Sequence, residues 1–210
     1  MTTITALDPD PRREGSVRVV VDGRPFGSVP LDRVAALGLA VGREVDEALR
    51  LALGQAADEE AAFRTALSAL GRRPFARRDL ARRLRQKGHE EAPVALALAR
   101  AERLGLIDDQ AFAERYVLTR SARGRGPARL RRELLAMGVE ARLVDAALAA
   151  TAAEGDPARQ VVARLAARRA RQLAGLPLPD RRRRLRAFLA RRGFTGETAR
   201  AVVDEVLRAS

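Results

Sequence analysis

Apolar residues recur four apart along this chain, with a glycine four residues further on, in three places. Leu80, Leu84 and Gly88 are the first set, Leu130, Leu134 and Gly138 the second, and Leu185, Leu189 and Gly193 the third. Leucines four apart share one face of a helix. A glycine just past the last turn can take the left-handed conformation that closes the helix. With each glycine at C′, the second leucine is C3 and the residue at C″ is His89, Val139 or Phe194. A Schellman closure packs C″ against C3, so two of the copies carry the expected apolar pair. A second stripe follows each glycine. It is Val94, Ala97 and Leu98, then Val144, Ala147 and Leu148, then Ala199, Val202 and Val203. This i, i+3, i+4 spacing predicts a second amphipathic helix in each copy. The glycines stand 50 and then 55 residues apart, a self-similarity on the scale of a repeat architecture.

Residues 1–14 are polar and proline-containing and are expected to form a flexible tail. Val17, Val19, Val20 and Val21 predict a strand, and Asp22-Gly23 a type I′ hairpin turn. Phe26 and Val29 lie on the returning strand, which Pro25 and Pro30 limit to a sheet edge or its ends. A short helix over Leu31 to Leu39 and a better one over Val45 to Ala57 complete an N-terminal hairpin-plus-helix module at 15–58. Helical patterning then runs to the end of the chain and divides into three-helix repeats at 59–107, 108–154 and 155–210. Each has an opener, a basic second helix and an apolar closer. The first opener carries Phe63, Leu67 and Leu70 and stops near Gly71 and Pro74. Asp108 or Asp109 caps the second opener, which carries Phe112, Tyr116 and Val117. Gly155-Asp156-Pro157 reads as the cap of the third, with proline at N1. The fold class is mainly α, with a small N-terminal β-hairpin/helix module.

Composition sharpens this picture. The chain is 47% hydrophobic but only 3% aromatic, with one tyrosine and no tryptophan, so the core is built from Leu, Val and Ala. There is no cysteine and a single histidine, which excludes disulfides, thiolate metal sites and multi-histidine sites. No cofactor is expected. No apolar run approaches the ~20 residues of a membrane span, and no signal-peptide core follows Met1. These features predict a soluble, cytoplasmic protein without a membrane partner.

The net charge of +13 is uneven. Residues 1–60 hold 7 arginines against 11 acidic residues, whereas the remainder holds 33 basic and 16 acidic residues. The basic residues concentrate on the second helix of each repeat. Such density favours a polyanion or an acidic protein surface, or else is a solvated face in an arginine-rich chain. On a wheel centred on Leu80 and Leu84, Arg78, Arg82 and Arg85 fall on the opposite face, and Arg132 and Arg183 take outward positions in the other copies. Together with Arg72, Arg73, Arg125 and Arg129 they are the candidate partner- and DNA-binding residues. Arginine there offers a planar fork to phosphate or carboxylate. No aromatic residues interleave with these arginines, so phosphate contact is favoured over base stacking.

The candidates for chemistry are few. Asp108-Asp109 precedes a helix, where capping explains a carboxylate pair. His89 sits at a cap position, where packing explains it better than catalysis. Tyr116 is four after Phe112 on a core stripe, with a phenol that can reach a partner. There is no Walker loop, no GxGxxG and no Ser/His/Asp set. The chain is expected to be a non-enzyme.

The run PFARRDLARRLRQKG, then LGLIDDQAFAERYVLTR, then GPARLRRELLAMGV, resembles RecX, the bacterial regulator of the RecA recombinase. The specific part is Leu106-Ile107-Asp108-Asp109 with Phe112, Ala113, Tyr116, Arg120, Gly126, Leu130, Glu133, Leu134 and Gly138. The resemblance is firm over about 60–150 and looser over 150–210. It departs where the family usually has Ser and Glu and this chain has Ala76 and Asp79, which removes a capping box. The resemblance implies three tandem three-helix repeats in an elongated, curved array. It implies binding to the RecA–DNA filament with inhibition of recombinase, ATPase and coprotease activities, and a weaker, nonspecific affinity for DNA. A monomer is expected. The alternative is a stand-alone, sequence-nonspecific DNA-binding helical protein.

Overall fold

The structure, a computed structural model, describes residues 1–153 and 157–209. The Gly155-Asp156 cap and the expected boundary between 154 and 155 lie outside the described residues. The elements in order are β1 (Ile4–Pro9), β2 (Ser16–Val21), β3 (Arg24–Pro30), α1 (Leu31–Ala36), α2 (Glu47–Leu70), α3 (Arg77–Gln86), α4 (Glu91–Arg103), α5 (Asp109–Ser121), α6 (Pro127–Ala136), α7 (Ala141–Ala153), α8 (Pro157–Gln172), α9 (Leu178–Arg191) and α10 (Gly196–Arg208). The chain divides into two compact units, Met1–Ile107 and Asp108–Ser210.

The three glycine closures form as the pattern predicts. Gly88, Gly138 and Gly193 adopt φ of 91°, 87° and 90°. Their N–H groups donate to the carbonyls of Arg85, Leu135 and Ala190 at 2.9 Å. The next N–H, of His89, Val139 or Phe194, reaches back to Leu84, Leu134 or Leu189 at 3.2, 3.1 and 3.0 Å. Both bonds of the Schellman motif are therefore present in all three copies. The six stripe leucines are fully buried, and each such burial is worth about 1.5–3 kcal/mol.

In the first unit, the Asp22-Gly23 turn has positive φ at both residues, the mark of type I′. The hairpin it joins is part of a larger sheet. Ile4–Pro9 pairs antiparallel with β2 on the side away from β3, so the sheet has three strands in the order β1-β2-β3. The expectation of a flexible tail over 1–14 is corrected by this strand. Ile4 is buried in the sheet's core with Val19 and Val29, and the Ser28 hydroxyl donates to Asp10 at 2.6 Å. Pro9, Pro11 and the weak alternation of this segment hid the strand.

A second correction concerns the break expected between 58 and 59. Helix α2 runs unbroken over 24 residues. Leu49, Leu53 and Ala56 on its first half belong to the core under the sheet. Ala62, Phe63, Ala66 and Ala69 on its second half belong to the core it shares with α3 and α4. Between them the acidic Glu59 and Glu60 are buried, where the sequence read as a polar boundary. Arg33 of α1 binds Glu59 at 2.9 Å, while Arg64 and Arg100 bind Glu60 at 2.7 and 2.8 Å. Burial of a carboxylate is tolerable when it is paired in this way.

In the second unit, α5, α6 and α7 pack as one trio and α8, α9 and α10 as another. The last trio encloses Val162, Ala166, Leu185, Leu189, Phe194, Val202 and Val203. The two trios meet through bare backbone. The Gly126 N–H donates to the Arg192 carbonyl at 2.7 Å, and the Ala128 N–H to the Gly193 carbonyl at 3.2 Å. No side chain fits between them, since a Cβ on Gly126 would lie 2.4 Å from the Gly193 carbonyl carbon.

Candidate nucleic-acid interface

Helix α3 starts without a side-chain cap at Ala76. Asp79 in its first turn binds Arg82 at 2.6 Å and Arg73 at 3.6 Å instead. The Arg73 guanidinium also lies 3.6 Å over the Phe75 ring. Two candidate arginines are thus gathered by one carboxylate. Arg85 is held by Glu91 at the start of α4, at 2.6 Å. Arg72 and Arg78 are exposed, and neither has a carboxylate partner among the described residues. Leu80 and Leu84 are buried on the other side of the helix, so the division into a packing face and an arginine face holds.

In the second unit the candidates separate into three sites. Arg125 and Arg129 converge on Glu133, binding its two oxygens at 2.8 Å each. The Tyr116 hydroxyl donates to the same carboxylate at 2.8 Å, and its ring stacks near Phe112 with centroids 6.0 Å apart. Burial raises the Tyr116 phenol above its ordinary range, and the bond to Glu133 adds to this. For Glu133, burial pushes the carboxyl up, but hydrogen bonds from Arg129, Tyr116 and Arg125 outweigh it and hold the group below the usual carboxylate range. Arg132 projects to solvent from the next position along α6. Arg183 sits apart at the start of α9, held by Asp180 at 2.8 Å.

Three arginines that the repeat pattern did not single out complete a cleft around Arg125 and Arg129. Arg123 from the α5–α6 turn, and Arg191 and Arg192 from the end of α9, line it with Gly124 and Phe188. Arg192 covers the Phe188 ring at 4.9 Å. The Gly126–Gly193 backbone contact creates the cleft by bringing the end of α9 against the start of α6. The available signal was the pair of Arg-flanked glycines, Gly124-Arg125-Gly126 and Arg191-Arg192-Gly193. Nothing in the sequence said that these two would meet.

The candidates for chemistry are occupied in structural roles. Asp108 accepts the Ala111 N–H at 2.9 Å as the cap of α5. His89 is half-buried and its Nε2 lies 2.9 Å from the Thr65 hydroxyl. Among the described residues no cluster of His, Cys, Asp or Glu could hold a metal, and no helix is long and apolar enough to cross a membrane.

Comparison with known proteins agrees with the geometry. A model of the second three-helix domain of RecX matches residues 108–148, and a model of its third three-helix domain matches 159–203. The chain is 42% identical over 147 residues to the regulatory protein RecX of Halorhodospira halophila, covering 69% of this chain and 88% of that one. It is 42% identical over 138 residues to the regulatory protein RecX of Streptomyces coelicolor, covering 64% and 71%. A crystal structure of a regulatory protein RecX superposes with a TM-score of 0.80 at 23% identity, covering 97% of this chain and all of that one. The crystal structure of RecX from Lactobacillus salivarius gives a TM-score of 0.64 at 20% identity, covering 71% and 96%. The structural likenesses speak for the fold.

Proposed function

Because this chain belongs to the RecX family of regulatory proteins, we propose that it regulates the RecA recombinase. It binds the RecA–DNA filament and suppresses recombinase, ATPase and coprotease activity, acting as a binding protein in the cytoplasm rather than as an enzyme. The observation that carries this reading is the segregation of faces on the second helix of each repeat. The leucines of α3, α6 and α9 are buried, while Arg78, Arg82, Arg132 and Arg183 on the same helices face outward. Outward guanidinium groups of this kind suit a target that mixes phosphate with acidic protein surface.

The test is filament ATPase and strand exchange with the cognate recombinase. The wild-type protein should inhibit both near stoichiometric amounts. Arg78→Glu with Arg82→Glu should keep the helical signal and lose most of the inhibition. A folded wild-type protein that leaves both reactions untouched refutes the reading. The second reading, a stand-alone DNA-binding protein, is favoured by the exposed Arg72, Arg78 and Arg132, which have no carboxylate partner among the described residues. It requires tight binding to bare DNA near physiological salt that collapses steeply as salt rises.

A further inference from the structure

Five arginines lining one cleft need an explanation that packing does not supply. Arg123, Arg125, Arg129, Arg191 and Arg192 share the cleft at the meeting of α6 and α9. Among the described residues one carboxylate pairs with them, Glu133 behind the lining, which is bound by Arg125 and Arg129. Arg123, Arg191 and Arg192 have no carboxylate partner among the described residues. Two of the five also stand where the backbone disfavours them. Arg125 precedes α6 and Arg129 lies in its first turn, the end of a helix that repels positive charge. The fold therefore brings like charges together and keeps them there through the Gly126–Gly193 contact.

We infer that this cleft binds the phosphodiester backbone of DNA, with the five arginines spanning neighbouring phosphates of one strand. The inference rests on the reading of the chain as a regulator of a DNA filament and supplies the chemistry of one of its contacts. Three observations select phosphate. The charge excess is larger than one or two carboxylates of a peptide would balance. Glu133 binds Arg125 through one Nη and Arg129 through Nε alone, so it fixes both forks without using their other N–H groups. The cleft also lacks an anchor for a protein partner, because its single aromatic ring, Phe188, is covered by Arg192. Interfaces between proteins centre on such buried anchors. With Arg192 over that ring, the contact runs through phosphate rather than base stacking and carries no sequence preference.

The experiment is fluorescence anisotropy of a labelled oligo-dT strand across a salt series, run beside the filament ATPase assay. The test variant is Arg123→Gln with Arg191→Gln, both exposed. The control is Arg142→Gln with Arg159→Gln, which removes the same charge elsewhere in the same unit. Each phosphate contact on a single strand contributes about 0.7 to the slope of log K against log salt. The test variant should flatten the slope by roughly 1.4 and weaken binding at least about tenfold at low salt. The control should keep the wild-type slope. Arg123→Lys with Arg191→Lys should also keep it, since charge is retained.

Equal slopes for wild type and test variant overturn the inference, as does an equal flattening by the control or by the lysine pair. A test variant that keeps its DNA affinity but no longer inhibits the ATPase overturns it in favour of an acidic protein surface. If the wild type fails to inhibit the filament while its DNA binding still depends on the cleft, the regulatory reading falls and the phosphate site stands.

Discussion

Substituting alanine for Gly193 and for Gly88 separates two costs that the glycine closures combine. The two glycines share the left-handed backbone, with φ of 90° and 91°, and the same pair of closing hydrogen bonds. Their surroundings differ. A Cβ on Gly88 meets nothing within 4 Å, whereas one on Gly193 would lie 2.4 Å from Arg129 Cβ and 2.5 Å from Arg129 N. Gly88→Ala therefore bears the conformational cost alone, roughly 1–2 kcal/mol. At Gly193 the clash is with main chain and Cβ, which no side-chain rotation relieves. Helices α6 and α9 must part and weaken the bonds from Gly126 to Arg192 and from Ala128 to Gly193, at about 1 kcal/mol each. The expected cost of Gly193→Ala is then about 3–4 kcal/mol. Because the two sites lie in different compact units, one melting curve would mix them. Native-state hydrogen exchange reads them separately, through the amides of α3 for one variant and of α9 for the other. Costs that agree to within about 0.5 kcal/mol would refute the argument that backbone contact at Gly193 joins the two trios.

Other perturbations test neighbouring parts of the structure. Leu134→Ala should destabilise the second unit by about 2–5 kcal/mol, while Leu135→Ala, more than a third exposed, should change little; urea denaturation distinguishes them. Asp108→Ala should cost about 1 kcal/mol through loss of the α5 cap, and Asp108→Asn should restore most of it. A catalytic role for Asp108 would instead show as lost activity in both variants without loss of stability. The Tyr116–Glu133 pair should make the second unit sensitive at both ends of the pH scale. Glu133 titrates lower in the fold than in the unfolded chain, so its contribution is full above about pH 4.3 and is lost as pH falls through the lowered value. Tyr116 titrates higher in the fold, so its contribution is full below about pH 10 and is lost as pH rises through the raised value. Tyr116→Phe should flatten the alkaline limb of a stability–pH profile and shrink the acid limb without removing it, since Arg129 and Arg125 still hold Glu133 low. An unchanged alkaline limb would count against the assignment.

The fold was legible where a local pattern determines structure. Leucine spacing and a terminal glycine specify a closed helix regardless of what lies elsewhere in the chain, and all three copies form one. The Asp22-Gly23 turn is equally local. The misses share a non-local cause. Glu59 and Glu60 looked like a boundary because their partners, Arg33 and Arg100, lie 26 and 40 residues away. The strand Ile4–Pro9 has little intrinsic preference for its state and forms because β2 offers it an edge. The arginine faces of α3, α6 and α9 could be read from a helical wheel. The cleft could not, since it requires two glycine turns from different repeats to touch, and Arg123, Arg191 and Arg192 gain their meaning only from that contact.

The unbroken α2 has a consequence for how this chain can vary. A helix advances about 1.5 Å and turns about 100° with each residue. Leu49 and Leu53 are aimed at the sheet, while Phe63 and Ala66 are aimed at α3 and α4, all from one rigid rod. Deleting a single residue between Leu53 and Phe63 would swing one set about 100° out of phase with the other. A surface loop tolerates such length changes. Here the sheet and the first repeat are geared together, and the segment between them can lengthen or shorten only by nearly whole turns.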